Sequence, residues 1–251
     1  MTVLRLHGVS RSFGGLQALT DLTFTAQAQR ITGLIGPNGA GKTTVFNLVT
    51  GVFPPSAGSI FFEGQDLVGR RPHEIVRMGI ARTFQTPRLF RGMTAWEHVL
   101  VAQNHRARAG LGLLRRGGKG RALVEEARQV LDLVGLWEAR GRPGAALAYG
   151  DQRRLEIARA LAAGPRLLLL DEPAAGMNPA ESEALLGILE KLRAAGITLL
   201  LIEHDMSVVM SLCDRVAVLN FGEKIAEGTP AAIRADPRVI EAYLGAEAAH
   251  A

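Results

Sequence analysis

Apolar positions along the chain change period several times, and each change predicts an element. Leu4 and Leu6, then Leu22 and Phe24, alternate with polar neighbours on either side of a Phe13-Gly14-Gly15 turn, which predicts a small β-rich lobe over residues 3 to 35. Its last run, Ile31-Thr32-Gly33-Leu34-Ile35, reads as a buried strand, and Val45 to Val49 read as the first turns of a helix. Gly51 to Gly58 form a stiff loop, Ser59 to Gly64 a strand ending in a turn, and Ile80 to Gln85 another short strand stopping beside Thr86-Pro87. From Pro87 to about Gly164 the spacing turns helical, with helices expected over Ala95 to Gln103, Ala122 to Val134 and Arg153 to Ala163.

The strand pattern then returns. Leu167 to Leu170 are consecutive leucines that need burial on both faces, as in a central parallel strand. Asn178-Pro179 caps a helix that Leu185, Ile188, Leu189 and Leu192 carry to Gly196, and Ile197 to Ile202 is the next buried strand. Arg215 to Leu219 and Lys224 to Gly228 form a hairpin around Phe221-Gly222, and short helices follow Thr229-Pro230 and Asp236-Pro237. No internal repeat is visible. The order predicts an α/β chain with a helical insertion.

Composition narrows the setting. The 251 residues carry a net charge of +5, which suits an anionic membrane face or nucleic acid without choosing between them. The segment Asn104 to Arg121 holds Arg106, Arg108, Arg115, Arg116, Lys119 and Arg121 and no acid, the composition of a solvated loop with a possible contact to anionic lipid head groups. Cys213 is the single cysteine and has no internal partner for a disulfide, which fits a reducing compartment. Met1 to His7 lack the apolar core of a signal peptide, and the longest apolar run, Ile197 to Ile202, is strand-sized. A role at a membrane is therefore expected to go through a partner.

The candidate chemistry centres on Gly36-Pro37-Asn38-Gly39-Ala40-Gly41-Lys42-Thr43-Thr44, which fits G-x-x-x-x-G-K-[ST] between a strand and a helix. Such a loop turns successive backbone N–H groups and a helix N-terminus toward the phosphates of a nucleoside triphosphate, and glycine permits the close approach. Lys42 is expected to reach the β- and γ-phosphates, and the Thr43 hydroxyl to ligate Mg²⁺. Ligands of parallel sheets gather at the carboxyl ends of strands, where Asp171 and Glu172 arrive together. Asp171 suits a metal held through its water shell, and Glu172 a general base for the attacking water. Gln85 and His204 stand at neighbouring strand ends: Gln85 can touch both metal and water, and His204 can hydrogen-bond a γ-phosphate oxygen. Phe13 is either an adenine-stacking ring or a core phenylalanine. Leu147 to Gln152 form a glycine-bearing turn at a helix start, either a second phosphate site or an ordinary cap.

Taken together, the phosphate loop, Gln85, the Leu147 to Gln152 turn, Asp171-Glu172, Ala175 to Asn178 and His204 stand in an order and spacing that resemble the ATP-binding subunits of ABC transporters over nearly the full chain. The resemblance implies an α/β P-loop NTPase of ABC type, one domain over residues 1–251. Its RecA-like core and N-terminal antiparallel β lobe would span 1–86 and 160–251, and a helical subdomain 87–159. It raises Phe13 to the adenine-stacking aromatic. It makes Ala148, Tyr149, Gly150, Asp151 and Gln152 the signature that contacts ATP in trans, in a head-to-tail dimer with two composite sites. ATP and Mg²⁺ are the implied cofactors, with Thr43, Gln85 and Asp171 at the metal.

Arg82 to Gln85, Arg88-Leu89-Phe90, Leu147 to Arg159, Asp171 to Gly176 and Tyr243-Leu244-Gly245 look most like the larger ATPase subunit of the branched-chain amino acid importers. That resemblance implies a second, different ATPase subunit in the cell, with a homodimer open to the isolated chain. It also implies two permeases, an external solute-binding protein, and a peripheral place on the cytoplasmic face of the inner membrane. The permease contact is expected at 86 to 98. A soluble ABC ATPase working on nucleic acid or the ribosome is the alternative, but such proteins usually carry two cassettes or a long coiled coil, so no nucleic-acid partner is expected. Three positions depart from the general family pattern: Ala148 replaces the signature serine, Tyr149 its first glycine, and Asn178 the usual aspartate. A weaker trans contact is expected from this face.

Overall fold

The computed structural model describes residues 1–104, 106 and 118–248. Alternation at the N-terminus becomes two long antiparallel strands, β1 (Thr2–Phe13) and β2 (Leu16–Gln27), joined through Gly14 and Gly15 at φ +51° and +91°. With β4 (Ala57–Phe62) and β5 (Gln65–Asp66) they form a sheet ordered β2-β1-β4-β5. The second sheet runs β10-β9-β3-β8-β7-β6. Its parallel members are β3 (Ile31–Ile35), β6 (Ile80–Arg82), β7 (Leu167–Asp171), β8 (Thr198–Ile202) and β9 (Arg215–Asn220); β10 (Glu223–Gly228) pairs antiparallel with β9.

The leucine-rich strands are buried on both faces because the fold covers both. Leu34, Leu167, Leu169, Leu200, Ile202, Ala217 and Leu219 point into a core shared with the β lobe and with α1 (Lys42–Val49). The alternate residues Ile31, Ile35, Leu168, Leu170, Leu199, Leu201, Val216 and Val218 point into a second core. That core is filled by α5 (Tyr149–Ala162), α6 (Pro179–Ala194) and α7 (Met206–Leu212). Truncating one such leucine to alanine costs about 2–5 kcal/mol. The helices α3 (Ala95–Ala102) and α4 (Gly118–Leu133) add Val99 and Leu131 to the same second core, so the inserted helices share a core with the sheet. The chain ends in α8 (Pro230–Arg234) and α9 (Pro237–Ala248). Among the described residues no helix is long and apolar enough to cross a membrane.

Several boundaries differ from the expectation. The strand expected over residues 80 to 85 ends at Arg82, with Thr83 N–H still donating to the Leu169 carbonyl at 2.9 Å. Beyond it the polar backbone groups of Phe84 are taken by side chains of α5 instead of by β7. Helix α5 starts at Tyr149, not Arg153, so Gly150 to Gln152 form its first turn and not a turn before it. A boundary between residues 159 and 160 falls inside this continuous helix. Gly118 to Arg121 belong to α4, so the basic stretch read as loop is shorter at that end, and most of the rest lies outside the described residues. Helices α2 (Pro72–Arg77) and α7 were not expected; Pro72 opens the first, and Asp205 caps the second by accepting from Ser207 N–H at 2.8 Å. Cys213 lies in the second core, where burial pushes its thiol up to about 12.

Candidate active site

Strand β3 ends where its neighbours leave no room for a side chain. A Cβ on Gly36 would stand 2.0 Å from the Leu219 carbonyl oxygen of β9, and one on Gly41 (φ +101°) 2.8 Å from the Ala18 carbonyl oxygen of β2. Glycine alone lets the loop thread between these strands and turn into α1. The hairpin tip after β9 holds it from outside, Gly222 N–H donating to the Ala40 carbonyl at 3.1 Å. Lys42 folds back over the loop, its Nζ donating to the Gly36 and Pro37 carbonyls at 2.6 and 2.9 Å. Burial lowers its pKa, and the negative charges of Glu172 and Asp171 act in the opposite direction. The loop opens on a cleft of about 440 Å³ lined by Asn38 to Thr44, Leu16, Gln17, Ala18, Gln85, Glu172 and Phe221.

The carboxylates enter from β7. Asp171 is buried and accepts from Arg82 Nη2 at 2.8 Å, while Arg82 Nη1 donates to Asn47 Oδ1 of α1 at 2.6 Å. Glu172 follows at φ +46°, a left-handed conformation that non-glycine residues adopt at a cost and that turns its side chain off the strand line into the cleft. There Gln85 Nε2 donates to Glu172 Oε2 at 2.8 Å, and His204 Nδ1 lies 3.7 Å from Glu172 Oε1. The residue before that histidine, Glu203, is 1% exposed; burial raises its pKa, and it accepts from Ala174 N–H at 3.3 Å and His204 N–H at 3.3 Å. One side chain thus holds the chain after Glu172 and the chain at His204 together.

The other expected residues lie apart from this cluster. Phe13 is 40% exposed and packs edge-on against Phe53, centroids 5.1 Å apart, with the Arg11 guanidinium 4.5 Å from its ring; it does not line the cleft, whose apolar walls are Leu16 and Phe221. Ala148 begins α5 with no side-chain cap. The Tyr149 hydroxyl accepts from Arg153 Nε at 3.1 Å and donates to the Ala175 carbonyl at 3.2 Å. Gly150 sits against Glu181, Asp151 pairs with Arg154, and Gln152 Nε2 donates to the Leu147 carbonyl at 2.9 Å. None of Ala148, Tyr149, Gly150, Asp151 and Gln152 lines the cleft of their own chain. Sequence reading gave no role to Arg82 and Glu203. A charged residue inside a sheet strand and a carboxylate ending a buried run were the available signals.

A phosphate loop on a parallel sheet, a carboxylate pair at the end of β7 and an uncapped helix start outside the cleft define an ATP-hydrolysing cassette, and the chain belongs to the ABC transporter family, whose model matches residues 19–175. A second model, described as a branched-chain amino acid ATP-binding cassette transporter, matches residues 223–249. Among curated relatives, the high-affinity branched-chain amino acid transport ATP-binding protein LivG of Escherichia coli K12 is 48% identical over 249 residues, covering 97% of this chain and 98% of that protein. BraF of Pseudomonas aeruginosa, described in the same words, is 45% identical over the same coverage. Among solved structures, the ATP-binding cassette MJ1267 in its ADP conformation superposes with a TM-score of 0.87 at 33% identity, covering 98% of this chain and 99% of that one.

Proposed function

We propose that this chain powers the import of branched-chain amino acids as the larger of two ATPase subunits. The observation that carries the reading is its 48% identity to LivG along almost all of both chains. In this reading the chain lies on the cytoplasmic face of the inner membrane, held there by two permease subunits, with an external solute-binding protein delivering substrate. Its cassette partner is a second ABC ATPase subunit in the cell, and the isolated chain can pair with itself; the MJ0796 cassette, of like fold, has been solved as a dimer. Residues 1–86 and 160–251 carry the phosphate loop and carboxylates, and residues 87–159 the signature and, at 86 to 98, the permease contact. Phe90 is 56% exposed there.

The chemistry follows from the side chains. Free backbone N–H groups of the loop up to Thr44 and the Lys42 ammonium hold the triphosphate, and Phe13 turns to stack on adenine. Thr43, Gln85 and Asp171 offer hydroxyl, amide and carboxylate oxygens, the hard donors that would suit a Mg²⁺ ion. Held there, it would supply charge neutralisation on the phosphates. Arg82 holds the buried Asp171 carboxylate in place through its Nη2 contact at 2.8 Å. Glu172 orients water against the γ-phosphorus and takes its proton, while Gln85 and His204 hold the carboxylate from either side. Ala148 to Gln152 close on the ATP of the opposite cassette through backbone N–H groups.

Uptake of labelled leucine in cells whose only copy is wild type or Glu172→Gln tests the whole reading. Loss of uptake at equal protein level, with turnover of the purified variant down about 10²–10⁴-fold and ATP binding retained, is the expected result. Normal turnover in the variant would mean that another group is the base. Lost turnover with unchanged uptake would mean another substrate.

A further inference from the structure

The residue next to Gln85 is held by α5 in a way that the phosphate loop and the carboxylates do not explain. Both backbone polar groups of Phe84 end on side chains of that helix: its N–H donates to Glu156 Oε2 at 3.4 Å, and its carbonyl accepts from Arg153 Nη1 at 3.0 Å. Glu156 Oε1 further accepts from Arg88 N–H at 2.8 Å and from Arg159 Nη2 at 2.9 Å. Glu156 is 2% exposed and Arg153 4% exposed, so two charged side chains are buried for the sake of these contacts. Charges are rarely buried without partners that fix them, and here the partners beyond α5 are backbone groups of one short loop. The same Arg153 donates through Nε to the Tyr149 hydroxyl, which in turn donates to the Ala175 carbonyl, three residues past Glu172. The first two turns of α5 therefore grip the loops on both sides of the Gln85–Glu172 contact.

We infer that Arg153 and Glu156 are positioning residues for hydrolysis: by clamping Phe84 they set whether the Gln85 amide reaches Glu172, and Tyr149 ties that clamp to the loop after Glu172. The inference rests on the reading of α5 as the face that meets the nucleotide of the opposite cassette, and it adds a direction of signal. Movement of the helix start at one composite site is passed through Arg153 and Phe84 to the catalytic pair of this chain's own site. Tyr149 does this with a hydroxyl that the glycine usual at its position lacks, so beside Ala148, which gives up the signature hydroxyl, the next residue supplies an internal tie.

The test uses the purified full chain with Mg-ATP and three variants, Glu156→Gln, Arg153→Lys and Tyr149→Phe. Glutamine keeps the shape but gives up the charge that holds Arg159, and lysine keeps a charge but cannot donate at once to Phe84 and Tyr149. A displacement of Gln85 by about an ångström is expected to lower kcat about ten- to a hundred-fold, with KM and nucleotide affinity within about twofold of wild type. A general structural role would instead lower the melting temperature and disturb nucleotide affinity together. Should the two buried variants melt early, Tyr149→Phe decides, because its ring is 44% exposed and only the hydroxyl is lost. A fall in kcat at constant KM in that variant supports the clamp, and a wild-type kcat overturns it. ATP-driven dimerisation of Glu172→Gln, followed by size exclusion, separates the two claims: failure to dimerise defeats the composite-site reading alone, whereas dimerisation with wild-type kcat in the clamp variants defeats the clamp alone.

Discussion

Helices α1 and α5 both begin without a side-chain cap, in opposite surroundings. Most other helix starts are closed by their own side chains: Thr94, Asn178, Asp205 and Thr229 accept from the N–H groups of α3, α6, α7 and α8. Helix α1 starts on Gly41 and α5 on Ala148, neither of which offers an acceptor. Their first N–H groups are left for another partner, and with the helix dipole they favour an anion. The first start is sunk between the two sheets with the buried Lys42 and the Asp171-Glu172 pair close by. The second is open, with Ala148 and Tyr149 exposed and no cationic lysine on its first turn. One has everything phosphate binding needs within a single chain. In the proposed dimer the other is half a site, which a second cassette would complete.

The largest effect separating the two should come from Lys42→Ala, which removes the charge that only the first start has. Turnover is expected to fall by about 10²–10³-fold, read as phosphate release, with no matching loss from the side chains of Ala148, Asp151 or Gln152. Next is Gly41→Ala, where a Cβ meets the Ala18 carbonyl at 2.8 Å in a left-handed conformation. About 1–3 kcal/mol of stability should be lost in denaturant unfolding, whereas Gly150→Ala meets only the movable end of Glu181 and should cost less. Ala148→Ser erases the comparison from the other side. A hydroxyl there can cap α5, so stability should rise by about 0.5–2 kcal/mol; an unchanged unfolding midpoint would mean that the N–H groups of this start already have a partner.

The smallest effect lies at the proposed permease contact. His98 is 1% exposed, accepts from Phe90 N–H at 2.9 Å through Nε2 and lies 2.8 Å from the Thr94 carbonyl through Nδ1. Burial is the main cause holding its pKa below the ordinary histidine value, with Arg159 acting the same way and Thr94 and Glu97 opposing. The neutral ring is the native form, so its contribution is complete above the ordinary histidine pKa and is lost as pH falls through the depressed value. Melting of wild type should therefore drop more steeply between pH 7 and 5 than melting of His98→Gln; parallel curves would remove this histidine from the account.

What could be read in advance follows from how each residue works. The placement of Gly36 to Thr44, Asp171, Glu172 and His204 is legible because they stand where strands end, and strand ends follow from runs of apolar residues. Asn178 is legible because its cap is local, its Oδ1 accepting from Glu181 N–H three residues on. Arg82, Arg153, Glu156 and Glu203 act through partners far away in sequence, Arg82 on Asp171 and Arg153 on Phe84, and no spacing rule connects them. The start of α5 was misplaced for a related reason: Ala148 carries no capping side chain and Gly150 disfavours helix, and the first turn is tied instead by the Tyr149 hydroxyl to the distant Ala175 carbonyl. Phe13 shows the converse, a residue singled out correctly as unusual whose ring leans on Phe53 outside the cleft lining.

Cys213, packed beneath Gly33 with its thiol pushed up to about 12, carries almost no thiolate at neutral pH. The natural chain is thus expected to react slowly with maleimides and mild oxidants. A cysteine introduced at exposed Ala148 would be its one reactive handle, and a dye or cross-linker placed there would report directly on what arrives at the open end of α5.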